Sequence, residues 1–455
     1  MQTPYVPHLF GQEVETKLRS RMNWLTAGVA SSIAWPQEDV WVVYGGNDYI
    51  LRGLERNGEA SPPGITVPCE RAGIDEALSR IYQFASVLSW FHQGYVDVSG
   101  HVWGSHPILY GDRRHVFSTG GTYSVRAFDC NHMPLIEGEA TRKSLAFWRE
   151  GQRLRGVHDS YSFLSFYKVI ESQFSRARSQ QKVEWIRSNI ELLSGDAAAR
   201  VAELRDEGRD VSRHLFESGR CAVAHAAMEE EIIDPDIPQD RRRLREDLVV
   251  MAGLAHRYIA NELGVPDRSV LYRTRNRLQP WDQMFHSVTL QQLRSGEYPD
   301  DLANFDNRTV SIGLWPDGAI HGMERMIVRV QSVSEGVIEA ALVNERETVI
   351  VAAYLDFPHG VAHISIERGG VRSGELPPLE EDLRAFYTLY YNVLGNRVAE
   401  LTIDGFEPVD CEVVIPVNMM LTLPPHEAVE ATVSEVLAKY GHAPVAGAPT
   451  PPNHN

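Results

Sequence analysis

Arg220 and His225 frame the segment Arg220-Cys221-Ala222-Val223-Ala224-His225. A guanidinium fork can hold a phosphate through paired hydrogen bonds, and an imidazole can move a proton near neutral pH. Together they are sufficient for cutting RNA without a metal. The spacing itself carries little weight: with 39 arginines and 17 histidines in 455 residues, chance alone supplies one or two such pairs, and the chain has three. Arg153/His158 straddles Gly156 at a predicted helix junction, and Arg209/His214 lies at a predicted helix start that Asp210 can cap. Only Arg220/His225 encloses small apolar residues, which let another helix or a second subunit approach closely. On an α-helix five positions turn through about 140°, so the two side chains diverge unless the arginine stem reaches round or a two-fold partner completes the site. The competing reading pairs Arg220 with a carboxylate such as Glu217 and makes His225 a satisfied core histidine.

Other residues could support this pair. Glu171 and Lys168 share a long predicted helix, where an ordinary helical ion pair is the alternative. His214, Ser218, Cys221 and His225 recur at i, i+4, i+7 and i+11. One thiol and two histidines over three turns lack tight ligand spacing, so no metal is expected, and no cofactor either. Arg213 and the run Arg241-Arg242-Arg243 are candidate RNA contacts, with a solvated helix start as the alternative for the run.

The net charge of −17 excludes wrapping nucleic acid over the whole surface. Residues 139–277 nevertheless hold 24 Lys+Arg against 22 Asp+Glu, while the flanks hold 20 against 39, so only the middle could meet a polyanion. The opening Met-Gln-Thr-Pro-Tyr-Val-Pro has neither the basic start nor the apolar core of a signal peptide, and no apolar run reaches the roughly 20 residues of a membrane span. Four scattered cysteines without a CxxC pair point to a reducing, cytoplasmic setting with no membrane partner.

The elements that must position these residues fall into an α+β arrangement. Residues 1–138 read as a mixed α/β domain, with a strand at Val40–Tyr44 and a helix behind Asp75 as its cap. Residues 139–278 read as an up-and-down helical bundle, with helices over 141–153, 158–178, 185–193, 201–228 and 241–263. Residues 279–442 read as an antiparallel β-rich meander followed by helices over 379–401 and 425–440, and 443–455 as a disordered tail.

A helical bundle with R-x4-H before its last helix resembles the HEPN superfamily. Within it, Arg220-Cys221-Ala222-Val223-Ala224-His225-Ala226, Trp148-Arg149, the stretch Phe163-Leu164-Ser165-Phe166-Tyr167-Lys168-Val169-Ile170-Glu171 and Asp234-Pro235-Asp236 are similar to proteins labelled methylamine utilization protein MauJ. So are Trp35-Pro36 and Ser86-Val87-Leu88-Ser89-Trp90. The resemblance implies a homodimeric, metal-independent endoribonuclease of defence or toxin type. His225 would be the general base on the ribose 2′-hydroxyl, and Arg220 would hold the phosphate. Cys221 departs from the pattern, since active members usually carry a polar residue there. The other role found among such domains is non-catalytic, as an accessory or interaction protein.

Overall fold

The computed structural model describes residues 6, 8–20, 22–112, 114–123, 128–174, 179–221, 223, 236–299, 301–302, 305–372, 378–414 and 421–441. The chain divides into two compact units, residues 1–274 and 275–455.

The first unit opens with a seven-stranded sheet: β1 (His8–Phe10), β2 (Trp24–Ser31), β3 (Val40–Tyr44), β4 (Asn47–Arg52), β5 (Gly64–Pro68), β6 (Val96–Gly104) and β7 (Phe117–Ser118). The order is β1-β3-β4-β5-β2-β7, with β6 also on β2. β2 is buried along its whole length, and its buried Thr26 hydroxyl is satisfied by that of Thr66 on β5 at 2.9 Å. Gly45 and Gly46, with φ of 55° and 74°, make the two-residue turn that seats Tyr44 opposite Asn47. Helix α1 spans Gln12–Leu18 and α2 spans Ile74–Phe91. Gly73 occupies the cap position of α2, and Asp75 sits inside the first turn, where its charge suits the positive end of the helix.

The remaining helices of this unit are α3 (Glu139–Leu154), α4 (Asp159–Glu171), α5 (Ser179–Ile190), α6 (Gly195–Asp206), α7 (Val211–His214), α8 (Pro238–Arg257) and α9 (Arg268–Thr274). A π-helical stretch, Leu215–Cys221, continues α7, and a second, Tyr258–Glu262, continues α8. Gly208 breaks the expected 201–228 helix at φ 75°, and Asp210 caps α7 by accepting from the Arg213 amide at 3.0 Å. α3 and α4 run antiparallel, since Ser144 Oγ donates to the Val169 carbonyl and Ser162 Oγ to that of Gly151. α4 and α8 run in the same direction. Arg245 holds Asp159 near their starts, and the Phe174 and Tyr258 rings meet 6.0 Å apart just past their ends.

These observations correct the expected fold. No HEPN-like up-and-down bundle stands at the centre between two flanking regions. Parallel α4 and α8 break the up-and-down order, and the helices share one hydrophobic core with the N-terminal sheet, running from Val6 to Leu271. Trp90 of α2 lies edge-on to Trp148 of α3 at 5.1 Å and 5.0 Å from the His256 ring of α8, so α2 is built into the helical layer.

The expected C-terminal meander is corrected as well, because it closes on itself. Its strands are β8 (Thr309–Leu314), β9 (Gly318–Ala319), β10 (Met326–Ser334), β11 (Val337–Val343), β12 (Val349–Asp356), β13 (Val361–Val371), β14 (Ala399–Ile403) and β15 (Val409–Val414). The circuit β8-β10-β11-β12-β13-β15-β14 returns to β8 as a seven-stranded closed barrel, with β9 a short hairpin on β8. All neighbours in the circuit are antiparallel except β13 and β15. Helix α10 is Ser287–Ser295, α11 is Glu380–Leu394 and α12 is Pro425–Gly441. α11 ends seven residues before the expected 401, because Gly395 and Asn396 (φ 65°) turn the chain and Leu401 and Ile403 then alternate into the barrel core. Among the described residues no helix is long and apolar enough to cross a membrane. The 443–455 tail lies outside the described residues.

Candidate functional site

Arg220 sits near the end of the π-helical stretch that continues α7. In such a stretch i→i+5 bonding replaces i→i+4, and these turns recur at functional sites. The angular objection based on α-geometry therefore does not apply up to Cys221. His225, Ala222 and Ala224 lie outside the described residues, so the structure brings no histidine to Arg220 within them.

What Arg220 does meet is Glu171. Its Nη2 lies 3.4 Å from Glu171 Oε1, and Lys182 of α5 reaches the same oxygen at 3.3 Å. The side chains of Arg220, Glu171 and Lys182 are 26%, 31% and 10% exposed, so the pairings are sheltered and only partly screened by water. Two cations thus share this one carboxylate. The Lys182 ammonium also lies over the Tyr167 ring at 5.2 Å and the Phe216 ring at 5.9 Å. Burial pushes the Tyr167 phenol well above its usual range, with the Glu171 charge acting in the same direction and Arg220 opposing, so Tyr167 stays protonated. Cys221 is a buried free thiol beside this cluster.

The expected partner Glu217 is engaged elsewhere, accepting from Arg213 Nε at 2.8 Å one turn away on the surface. That pair makes Arg213 an exposed i,i+4 ion-pair residue. Lys168 also departs from the cluster, its ammonium lying 5.6 Å over the Phe147 ring of α3.

His214 belongs to a separate, buried network. Its Nε2 lies 2.7 Å from Asp247 Oδ2, both side chains being 2% exposed. Arg209 Nη1 donates to Nδ1 at 3.3 Å, so the hydrogen-bond network assigns the ring hydrogen to Nε2. Asp247 Oδ1 accepts from Nε and Nη2 of Arg200, both at 3.0 Å. Burial works against the Arg200 charge, but hydrogen bonds to Glu203 and Asp247 outweigh it and its pKa rises. With both ring nitrogens occupied, His214 is a strut tying α7 to α8 and has no free position for proton transfer.

The basic run divides at the start of α8. Arg241 and Arg242 line an open cleft of about 340 Å³ together with Asp236, Pro238 and Arg245, and Arg245 is tied to Asp159 at 2.9 Å. Arg243 is not on the cleft wall. Its Nε is sealed from solvent without a hydrogen-bond partner among the described residues. Among the described residues, no group of three His, Cys, Asp or Glu side chains is gathered to hold a metal ion.

Asp247, Arg200 and Lys182 escaped the sequence reading. Asp247 had a visible signal, a carboxylate between Leu244, Leu248 and Met251 on the apolar stripe of its helix. Lys182 had none, because its helix offers nothing to say which carboxylate it faces.

Comparison with curated proteins and with solved structures found no match. Comparison with family models found one over residues 144–260, a stretch containing Glu171, Lys182, His214, Arg220 and Asp247. That stretch is similar to the family described as Methylamine utilization protein MauJ, and in it the chain is MauJ-like.

Proposed function

We propose that this chain is a non-catalytic accessory or interaction protein, with a MauJ-like region as its scaffold. The observation that carries this reading is the Glu171 carboxylate, shared by Arg220 and Lys182. Glu171 occupies one arm of the Arg220 fork and draws it towards α4, so a phosphodiester would have to compete with this carboxylate for that arm. Arg220 thus pins the π-helical stretch against α4 and α5. The description of the family matched over residues 144–260 supports a part in methylamine utilisation and names no reaction.

A second reading, a homodimeric metal-independent endoribonuclease of defence or toxin type with His225 as base and Arg220 on the phosphate, draws support from one feature. Arg241 and Arg242 face an open cleft beside the start of a helix, an arrangement that suits phosphate.

The experiment that decides between them incubates the full chain with labelled single-stranded RNA in EDTA, beside Arg220→Met and His225→Ala, with light scattering to size each protein. The accessory reading expects no cleavage above the level shared by all three proteins. Chelator-resistant cleavage that disappears in both variants, each still folded, would overturn it in favour of the nuclease.

A further inference from the structure

A cavity of about 440 Å³ opens in the first unit between the β3–β4 hairpin, α2, the 135–137 loop and α3. That volume lies within the range of small-molecule sites. Three arginines line it: Arg80 from α2, and Arg142 and Arg149 two turns apart on one face of α3. Arg80 Nη1 donates to Asn47 Oδ1 at 2.8 Å, which aims the fork. Arg149 Nη1 donates to the Tyr82 carbonyl at 2.9 Å, and its guanidinium lies 5.4 Å over the Tyr82 ring. Burial lowers the Arg149 pKa, with Asp97 the main opposing charge, so this cation has lost hydration that an anion would replace.

Two of the nearby carboxylates are occupied elsewhere. Glu139 pairs with Lys143 at 2.8 Å and Asp97 with Arg153 at 3.8 Å. Among the described residues none of the three cavity arginines makes an ion pair, and the only acid on the lining is the exposed Glu137. The rest of the lining includes apolar and aromatic side chains. Leu135 and Tyr82 are exposed large side chains, and behind them Tyr49 stacks on Phe84 at 4.1 Å. Tyr44 is fixed by donating to the Pro134 carbonyl at 2.7 Å. A shaped cavity whose lining combines three guanidiniums, none in an ion pair among the described residues, with apolar and aromatic surface matches one ligand chemistry.

We infer that this cavity binds a small organic anion, a carboxylate or phosphate head on a ring-sized apolar body. The arginine forks take the head, and Tyr82 and Leu135 cover the body. The site is separate from the Arg220 cluster and stands whether or not the chain acts on RNA.

The test is calorimetric titration of the full chain with four probes: phenyl phosphate, benzoate, inorganic phosphate and benzyl alcohol. Phenyl phosphate or benzoate should bind saturably below about 1 mM, and the one that binds identifies the head. Inorganic phosphate and benzyl alcohol should each bind at least about tenfold more weakly, lacking the body or the charge. Arg80→Met and Arg142→Met keep the apolar stems and should each weaken binding about tenfold, with thermal unfolding confirming an intact fold. Tyr82→Ala should weaken the ring-bearing probe and leave inorganic phosphate unchanged. The inference is overturned if neither ring-bearing anion saturates, if benzyl alcohol binds as well as benzoate, or if both arginine variants bind as the parent does.

Discussion

At the scale of single residues, His92 shows how burial sets behaviour. Its ring stacks on Phe128 at 5.4 Å, and its Nε2 is sealed without a hydrogen-bond partner among the described residues. Burial, helped by the Arg268 charge and opposed by Asp129, lowers its pKa from 6.5 to about 4. Between those values the unfolded chain binds the proton and the folded chain does not. The stabilising contribution is therefore complete above pH 6.5, shrinks as pH falls towards 4, and changes no further below that. Urea unfolding at pH 7 and pH 4.5 should show the parent losing about 2 kcal/mol more than His92→Phe over that interval. Equal losses in the two proteins would mean that this proton has no part in acid sensitivity. Arg220 illustrates what the sequence could and could not disclose at this scale. Residue types and small neighbours singled it out, and a carboxylate partner was among the readings. The partner is Glu171, about fifty positions away, because Glu217 is taken by Arg213 at the helical i,i+4 distance. Separation along the chain carries no information about such a meeting.

At the scale of elements, the π-helical stretch depends on a glycine. A Cβ on Gly219 would come within 2.5 Å of the fully buried Phe163 ring, which has nowhere to move. Gly151 of α3 meets Phe166 in the same way, at 2.7 Å. Gly219→Ala should lower stability by about 1–3 kcal/mol, read as a shift in the urea midpoint. An unchanged midpoint would show that the stretch yields, and that close packing does not hold it. Periodicity in the sequence located α2, α3, α4 and α8, since each shows an apolar stripe. It could not give their directions. Short connections suggested antiparallel neighbours, but α5, α6 and α7 intervene between α4 and α8, and the two come back side by side and parallel. The strands of the barrel from Thr309 to Val371 were legible through their turns. β14 was hidden, because Val398 and Leu401 continue the stripe of α11 by chance and only Gly395 and Asn396 interrupt it.

At the scale of the molecule, each unit is held by its own core, and the second owes its integrity to closure. β14 and β15 join the two ends of what would otherwise be an open sheet, pairing with β8 on one side and β13 on the other. A chain stopped after Leu394 loses both strands and leaves two unpaired edges, which are templates for association. Size-exclusion chromatography with light scattering should find that truncated chain in larger assemblies than the full chain. The same assembly state for both would show that closure is dispensable. Closure was beyond the sequence, because strand periodicity gives faces and lengths, while a ring is defined by which first strand meets which last one.

That last meeting also imposes a schedule on synthesis. All seven strands of the N-terminal sheet have been made by Ser118, so their pairing can begin early. The barrel must wait from the first appearance of β8 until Val414 has emerged, an interval of about 5–20 s at ordinary translation rates. Over that interval the inward faces of β8 and β10 to β13 have no complete core to enter. A nascent chain of this design therefore presents its greatest need for chaperone protection late in translation, while its C-terminal strands are still being made.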